Sequence, residues 1–82
     1  MRYLISYDLN KPGQNYDPLY AALAASGAKR ILLSQWVLST TSSSVDVRDH
    51  FKRFVDANDR LLVCELVHNW ASYNGMVDIN KI

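Results

Sequence analysis

From Arg2 to Leu9 the chain alternates, with Tyr3, Ile5, Tyr7 and Leu9 on one side and Leu4, Ser6 and Asp8 on the other. This is the period-two pattern of a strand, carried by aromatic and branched residues that suit a pleated surface. The next segment, Asn10-Lys11-Pro12-Gly13-Gln14-Asn15, sets Pro before Gly as a type II turn requires, so a loop follows the strand end. Asp17 can accept hydrogen bonds from the free amides of a helix, and Pro18 loses nothing in the first turn, where its missing N–H would be unpaired. Leu19, Ala22 and Leu23 then share a helical face, and Gly27 is placed to close the helix in the left-handed conformation.

Arg30 to Thr40 is too apolar for an exposed helix and predicts two short strands, or one that bends near Ser34-Gln35. The hydroxyl cluster Ser39 to Ser44 is a loop ending in a cap, with Ser43 or Ser44 as acceptor and Asp46 in the first turn. Val47, Phe51, Phe54 and Val55 form the apolar stripe of an amphipathic helix, opposite Arg48, Asp49, Lys52, Arg53 and Asp56. Asn58 and Asp59 break it. The period returns to two from Arg60 to Val67, with Leu62, Cys64 and Leu66 on one face and Leu61, Val63, Glu65 and Val67 on the other. After Trp70, Tyr73 and Gly75, the run Met76 to Ile82 offers Val77 and Ile79 against Asp78 and Asn80, a weak last strand.

This order predicts an α+β, ferredoxin-like βαββαβ domain spanning residues 1–82. It has one antiparallel sheet, two helices on one face and an extra C-terminal strand. At 82 residues a second core would leave each half below the roughly 40 residues at which folding needs staples. A chain this short also has a narrow margin of burial, which a second copy would widen, so a homodimer is expected.

Charge and cysteine content narrow the function classes. Hydrophobic residues make up 49% and charged residues 21%, an ordinary globular balance rather than that of a disordered chain. Nine Lys and Arg oppose eight Asp and Glu, so the net charge of +1 supplies no global field for nucleic acid or an anionic membrane. Any such contact must come from a local patch. No apolar stretch approaches the roughly 18 residues of a membrane span, and Met1-Arg2-Tyr3 leads straight into a strand, which predicts a cytoplasmic protein without a membrane partner. Cys64, the single cysteine, has no internal partner and reads as a small buried residue.

The chemistry-bearing residues are few. Asp8 ends a largely apolar strand before a turn, where a carboxylate can reach solvent and bind a hard cation, or accept amides of the turn instead. One carboxylate makes a poor magnesium site; two copies of Asp8 across a twofold axis would supply a pair of oxygen ligands suited to phosphodiester cleavage. Ser6 and Ser34 can orient a phosphate or a water, or satisfy nearby backbone groups. Lys29 and Arg30, and Arg48, Lys52 and Arg53 on the second helix, can track phosphates. Asp49 with Arg53 and Lys52 with Asp56 at i, i+4 spacing can equally form a salt-bridged solvated face. His50 and His68 belong to no spaced metal motif, and no glycine-rich phosphate loop or nucleophile elbow occurs.

Tyr3-Leu4-Ile5-Ser6-Tyr7-Asp8-Leu9, a short helix ending at Gly27, Arg30, Ser34-Gln35-Trp36, the amphipathic stretch Val47 to Val55 and the apolar strand Leu61 to Leu66 together cover most of the chain. In these residues it resembles the small second protein of CRISPR spacer acquisition and the related virulence-associated D toxins. The resemblance implies a ferredoxin-like homodimer in which paired Asp8 residues hold Mg2+ or Mn2+ for RNA or DNA phosphodiester hydrolysis, with a C-terminal segment, here Met76 to Ile82, that often crosses to the other protomer. On the nuclease reading, Asp8 and Ser34 are the expected catalytic residues, with Arg30 and Lys29 as the expected nucleic-acid contacts. Helix one, Leu19 to Ser26, has no Lys or Arg, whereas the spacer-acquisition members tend to be basic. This departure turns the expectation from DNA integration toward a stand-alone, toxin-like endoribonuclease or a nucleic-acid-binding descendant. The competing expectation is a non-catalytic homodimeric module that binds a partner protein.

Overall fold

The computed structural model describes residues 1–10 and 15–82, so the turn expected at Pro12-Gly13 lies outside the described residues. The elements run β1 (Arg2–Asp8), α1 (Asp17–Ala25), β2 (Lys29–Leu32), β3 (Gln35–Ser39), α2 (Ser44–Lys52) and β4 (Arg60–Leu66), then a single 3-10 turn at Ile79–Lys81. The strands form one antiparallel sheet in the order β2-β3-β1-β4. With both helices on one face, this is the ferredoxin-like α+β arrangement.

The alternation in β1 decides which side chains meet the helices. Tyr3, Ile5 and Tyr7 enter one core with Leu19 and Leu23 of α1, Trp36 and Leu38 of β3, and Val47 and Phe51 of α2. Phe51, Ile5, Leu19 and Leu23 are among the side chains closed off from solvent, and each such burial stabilises the fold by about 1.5–3 kcal/mol. Both helices are held by their ends. Gly27 adopts φ +87° after α1, and the Gly27 and Ala28 amides donate to Ala24 and Leu23 carbonyls, closing a Schellman motif. Ser43 caps α2, its hydroxyl accepting from the Asp46 amide at 3.1 Å. At the start of α1 the expected cap moves. Asp17 is already inside the helix, Tyr16 takes the cap position but its side chain does not cap the helix amides, and the Asn15 side chain accepts from the Asp17 amide.

The opposite face of the sheet, called outer here, carries a second, smaller core of Ile31, Val37 and Ile79, with Leu4, Leu66, Trp70 and Ile82 packed against it. The tail that supplies Trp70, Ile79 and Ile82 corrects the expectation of an extra C-terminal strand. Between Val67 and Ile82 the described backbone has no strand. Asn74 takes φ 53°, and the Asp78 carboxylate accepts from the Asn80 amide, starting the 3-10 turn. Such local side-chain bonds compete with a sheet ladder. The tail is instead pinned at three points: Met76 donates to the Ile31 carbonyl at 2.8 Å, Arg2 Nε donates to the Ile82 carbonyl at 2.9 Å, and the Arg2 guanidinium lies over the Trp70 ring.

Two further expectations change. Helix α2 stops at Lys52, so Phe54 and Val55 reach the core from a following turn, still half-buried. Asp49 pairs with its neighbour Arg48 at 2.8 Å, while Arg53 donates to the His50 carbonyl and meets His50 Nδ1, so the i, i+4 pair drawn for Asp49 and Arg53 is replaced by shorter-range contacts. Among the described residues no helix is long and apolar enough to cross a membrane.

Candidate functional site

The tail covers the outer face only in part. At the sheet end formed by the last residues of β1, the first of β4 and the Leu33-Ser34 turn, a shallow cleft of about 350 Å³ opens on the outer side, with Ser6, Asp8, Ser34, Arg60 and Leu62 along its walls. Alternation along β1 sends Ser6 and Asp8 to this face, and register places Asp8 opposite Arg60 and Ser6 between Gln35 and Leu62. Ser6 Oγ accepts from Gln35 Nε2 at 3.3 Å. The Ser34 carbonyl accepts from the Tyr7 amide at 3.1 Å, which fixes the turn against β1 and leaves residue 34 exposed. The structure therefore brings Asp8, Ser6 and Ser34 together.

Asp8 meets Arg60, its Oδ2 accepting from a guanidinium NH at 3.2 Å. Both side chains are well exposed, 65% and 78%, so the pair stabilises the fold by no more than about 1 kcal/mol and yields readily to a competing ligand. The loop after β1 is tied elsewhere: Asp59 Oδ1 accepts from the Asn10 amide at 2.7 Å and from the Tyr16 hydroxyl at 2.8 Å, and Oδ2 accepts from the Asp56 amide at 2.7 Å. Asp59 thus ties Asn10, two positions beyond Asp8, to the turn that precedes β4. Sequence reasoning assigned neither Arg60 nor Asp59 a place beside Asp8. The only local signal was their position at the start of the strand that pairs with β1.

Lys29 and Arg30 are adjacent in a strand and point to opposite faces. Arg30, opposite Trp36, lies on the helix side, its guanidinium 4.8 Å from the Tyr20 ring centroid and 5.5 Å from that of Trp36. It donates from Nε and NH2 to the Leu33 carbonyl, and Tyr7 OH donates to the same oxygen at 3.1 Å while accepting from Trp36 Nε1 at 3.0 Å. Burial pushes the Tyr7 hydroxyl pKa up, against the opposing pull of the Trp36 hydrogen bond and the nearby Arg30 charge. This group clamps the Leu33-Ser34 turn from behind. Lys29 sits level with Val37 and, through it, with Leu4, four positions or about 13 Å along β1 from Asp8. Neither basic residue lines the cleft.

Cys64 is exposed rather than buried: it faces outward on the edge strand β4, beside the half of the outer face that the tail leaves open. Leu62, which lines the cleft, is 59% exposed, and Leu33, next to Ser34 in the turn, is 77% exposed. For a divalent cation the chemistry of the donors is suitable, carboxylate and hydroxyl oxygen, but their number in one chain is not. Among the described residues Asp8 is the only carboxylate lining the cleft, and no three His, Cys, Asp or Glu side chains gather where a metal could be held. No protein-family model matches the sequence.

Proposed function

We propose that the chain is one protomer of a homodimeric, metal-assisted nuclease, acting on RNA ahead of DNA, or a nucleic-acid-binding descendant of such an enzyme. The observation that carries this reading is the cleft at the sheet end, where Asp8 stands exposed beside Ser6 and Ser34 on a part of the outer face that no tail residue lines. Exposed Leu62 and Leu33 beside it give a second copy an apolar surface to cover. In the dimer, Asp8 from each copy would hold Mg2+ or Mn2+, which supplies charge neutralisation at the phosphate and a more acidic bound water. Ser34 donates a hydrogen bond to a phosphate oxygen and orients the substrate, and Arg30 acts behind it by fixing the turn. The absence of Lys and Arg from α1 leaves that helix no basic track for a long duplex, in keeping with a stand-alone, toxin-like role on single-stranded RNA.

The test is cleavage of labelled single- and double-stranded RNA and DNA with Mg2+ or Mn2+, comparing wild type with Asp8→Asn and a chelated control. Loss of at least about 100-fold in Asp8→Asn, with an unchanged circular dichroism spectrum, is the expected result. Absence of cleavage by the wild type would remove the enzymatic reading. A second reading, a non-catalytic homodimeric module, is favoured by Asp8 being neutralised by Arg60 and by the exposed Leu33, Leu62 and Val67. It predicts that Leu62→Glu changes the sedimentation coefficient while neither protein cleaves any substrate.

A further inference from the structure

We propose that Arg60 is the phosphate-binding residue of the Asp8 cleft, and that its ion pair with Asp8 is a latch that nucleic acid opens; this rests on the nucleic-acid reading above. Among the described residues, Arg60 is the only cation that lines the cleft. Four of the other basic candidates are placed or partnered elsewhere. Arg30 is stacked between Tyr20 and Trp36 and bonded to Leu33, Lys29 lies about 13 Å along the sheet, Arg48 is paired with Asp49, and Arg53 is bonded to His50. Among the described residues Arg60 makes one side-chain hydrogen bond, through NH1 to an exposed carboxylate, and its side chain is 78% exposed, so most of its five N–H donors face solvent.

A guanidinium fork with free donors, set beside two hydroxyls, matches the tetrahedral oxygens of a phosphodiester. The Asp8 carboxylate occupies one arm of that fork and repels an incoming phosphate. Binding therefore requires Arg60 to turn from carboxylate to phosphate, and the turn leaves Asp8 unpaired at the moment the substrate arrives. Because the pair is exposed and weak, the exchange meets little resistance. One consequence is opposite in sign to what a purely structural ion pair gives: removing the Asp8 charge tightens metal-free binding, while removing Arg60 weakens it.

The experiment is fluorescence anisotropy with a short labelled single-stranded RNA in the presence of a chelator, so that no cleavage intervenes, repeated across a salt series. Arg60→Gln is expected to weaken binding by about tenfold or more. It should also lower the slope of log affinity against log salt by about 0.7, the loss of one phosphate contact on a single strand. Arg60→Lys keeps the slope and recovers part of the affinity, Asp8→Asn binds severalfold more tightly than wild type, and Lys81→Gln, on the tail, changes neither quantity. Equal affinity and slope for Arg60→Gln and wild type would overturn the proposal, as would loss of the contact in Lys29→Gln instead. An Asp8→Asn variant that binds no more tightly than wild type would remove the latch. A wild type that binds no nucleic acid overturns the nucleic-acid reading itself, an outcome distinct from the others.

Discussion

The two faces of the sheet are covered by different means. On the inner face, two helices with defined caps press Tyr3, Ile5, Tyr7, Trp36 and Leu38 into a closed core. On the outer face, an irregular tail reaches Leu4, Ile31, Val37 and Leu66, leaves an apolar cleft of about 280 Å³ beneath it and stops before the end at Asp8 and Arg60. The same β1 residues alternate between these environments, so the difference lies in the cover and not in the strand. The inner face supplies rigidity. The outer face, where covering ends, exposes the side chains able to meet a ligand.

Experiment can test the contrast. Phe51→Ala, on the inner face, opens a cavity against both helices and should destabilise by about 3–5 kcal/mol in urea unfolding. Ile79→Ala, its counterpart under the tail, should lose about 2 kcal/mol, the low end for such a truncation, because the tail can settle into the space beneath it. Equal losses at the two sites would break the distinction. Hydrogen exchange sharpens it further, with the Met76 amide exchanging well before the amides of β1.

Tyr7→Phe removes the hydroxyl that links Trp36 to the Leu33 carbonyl and should cost about 1–3 kcal/mol near neutral pH. Tyr7 also gives a pH dependence. Its pKa is raised in the folded state, so its contribution to stability is fully present below the unfolded value near 10 and is lost as pH rises through the higher folded value. Wild type should therefore lose more stability above about pH 10 than Tyr7→Phe does, measured by thermal unfolding across that range. Asp8→Asn should change stability least, by about 0–1 kcal/mol, since both partners of its ion pair are exposed. A larger loss there would mean that the sheet end is held structurally and is not poised for a ligand.

Much of the inner face was legible in the sequence because its determinants are local. Periodicity placed Tyr3, Ile5 and Tyr7 together, spacing placed Leu19 with Leu23 and Val47 with Phe51, and Ser43 and Gly27 marked helix ends. The bend near Ser34-Gln35 resolved into two strands, as the run of apolar residues allowed. What escaped was non-local. The tail's path depends on Ile79 finding Ile31 and Val37, and on Asp78 forming its own turn, neither of which an alternating run reveals. Cys64 sits in an apolar run that reads as core, yet edge position and the limit of the tail expose it. Asp8 was visible as a strand-end carboxylate, whereas Arg60, 52 positions away, joins it only through the register of β1 with β4.

The two edges of the sheet carry a last consequence, for aggregation. Edge β2 is interrupted by a bulge between Arg30 and Leu32, and the tail takes up the Ile31 carbonyl, so a foreign strand finds neither a regular ladder nor that acceptor free there. Edge β4 runs seven residues, Arg60 to Leu66, with Arg60 and Glu65 as its only charges. Cutting the chain between Val67 and Met76 would release the tail, bare Ile31 and Val37, and leave both borders open to strand addition. Limited proteolysis in that stretch should leave a product that precipitates while intact protein stays dispersed.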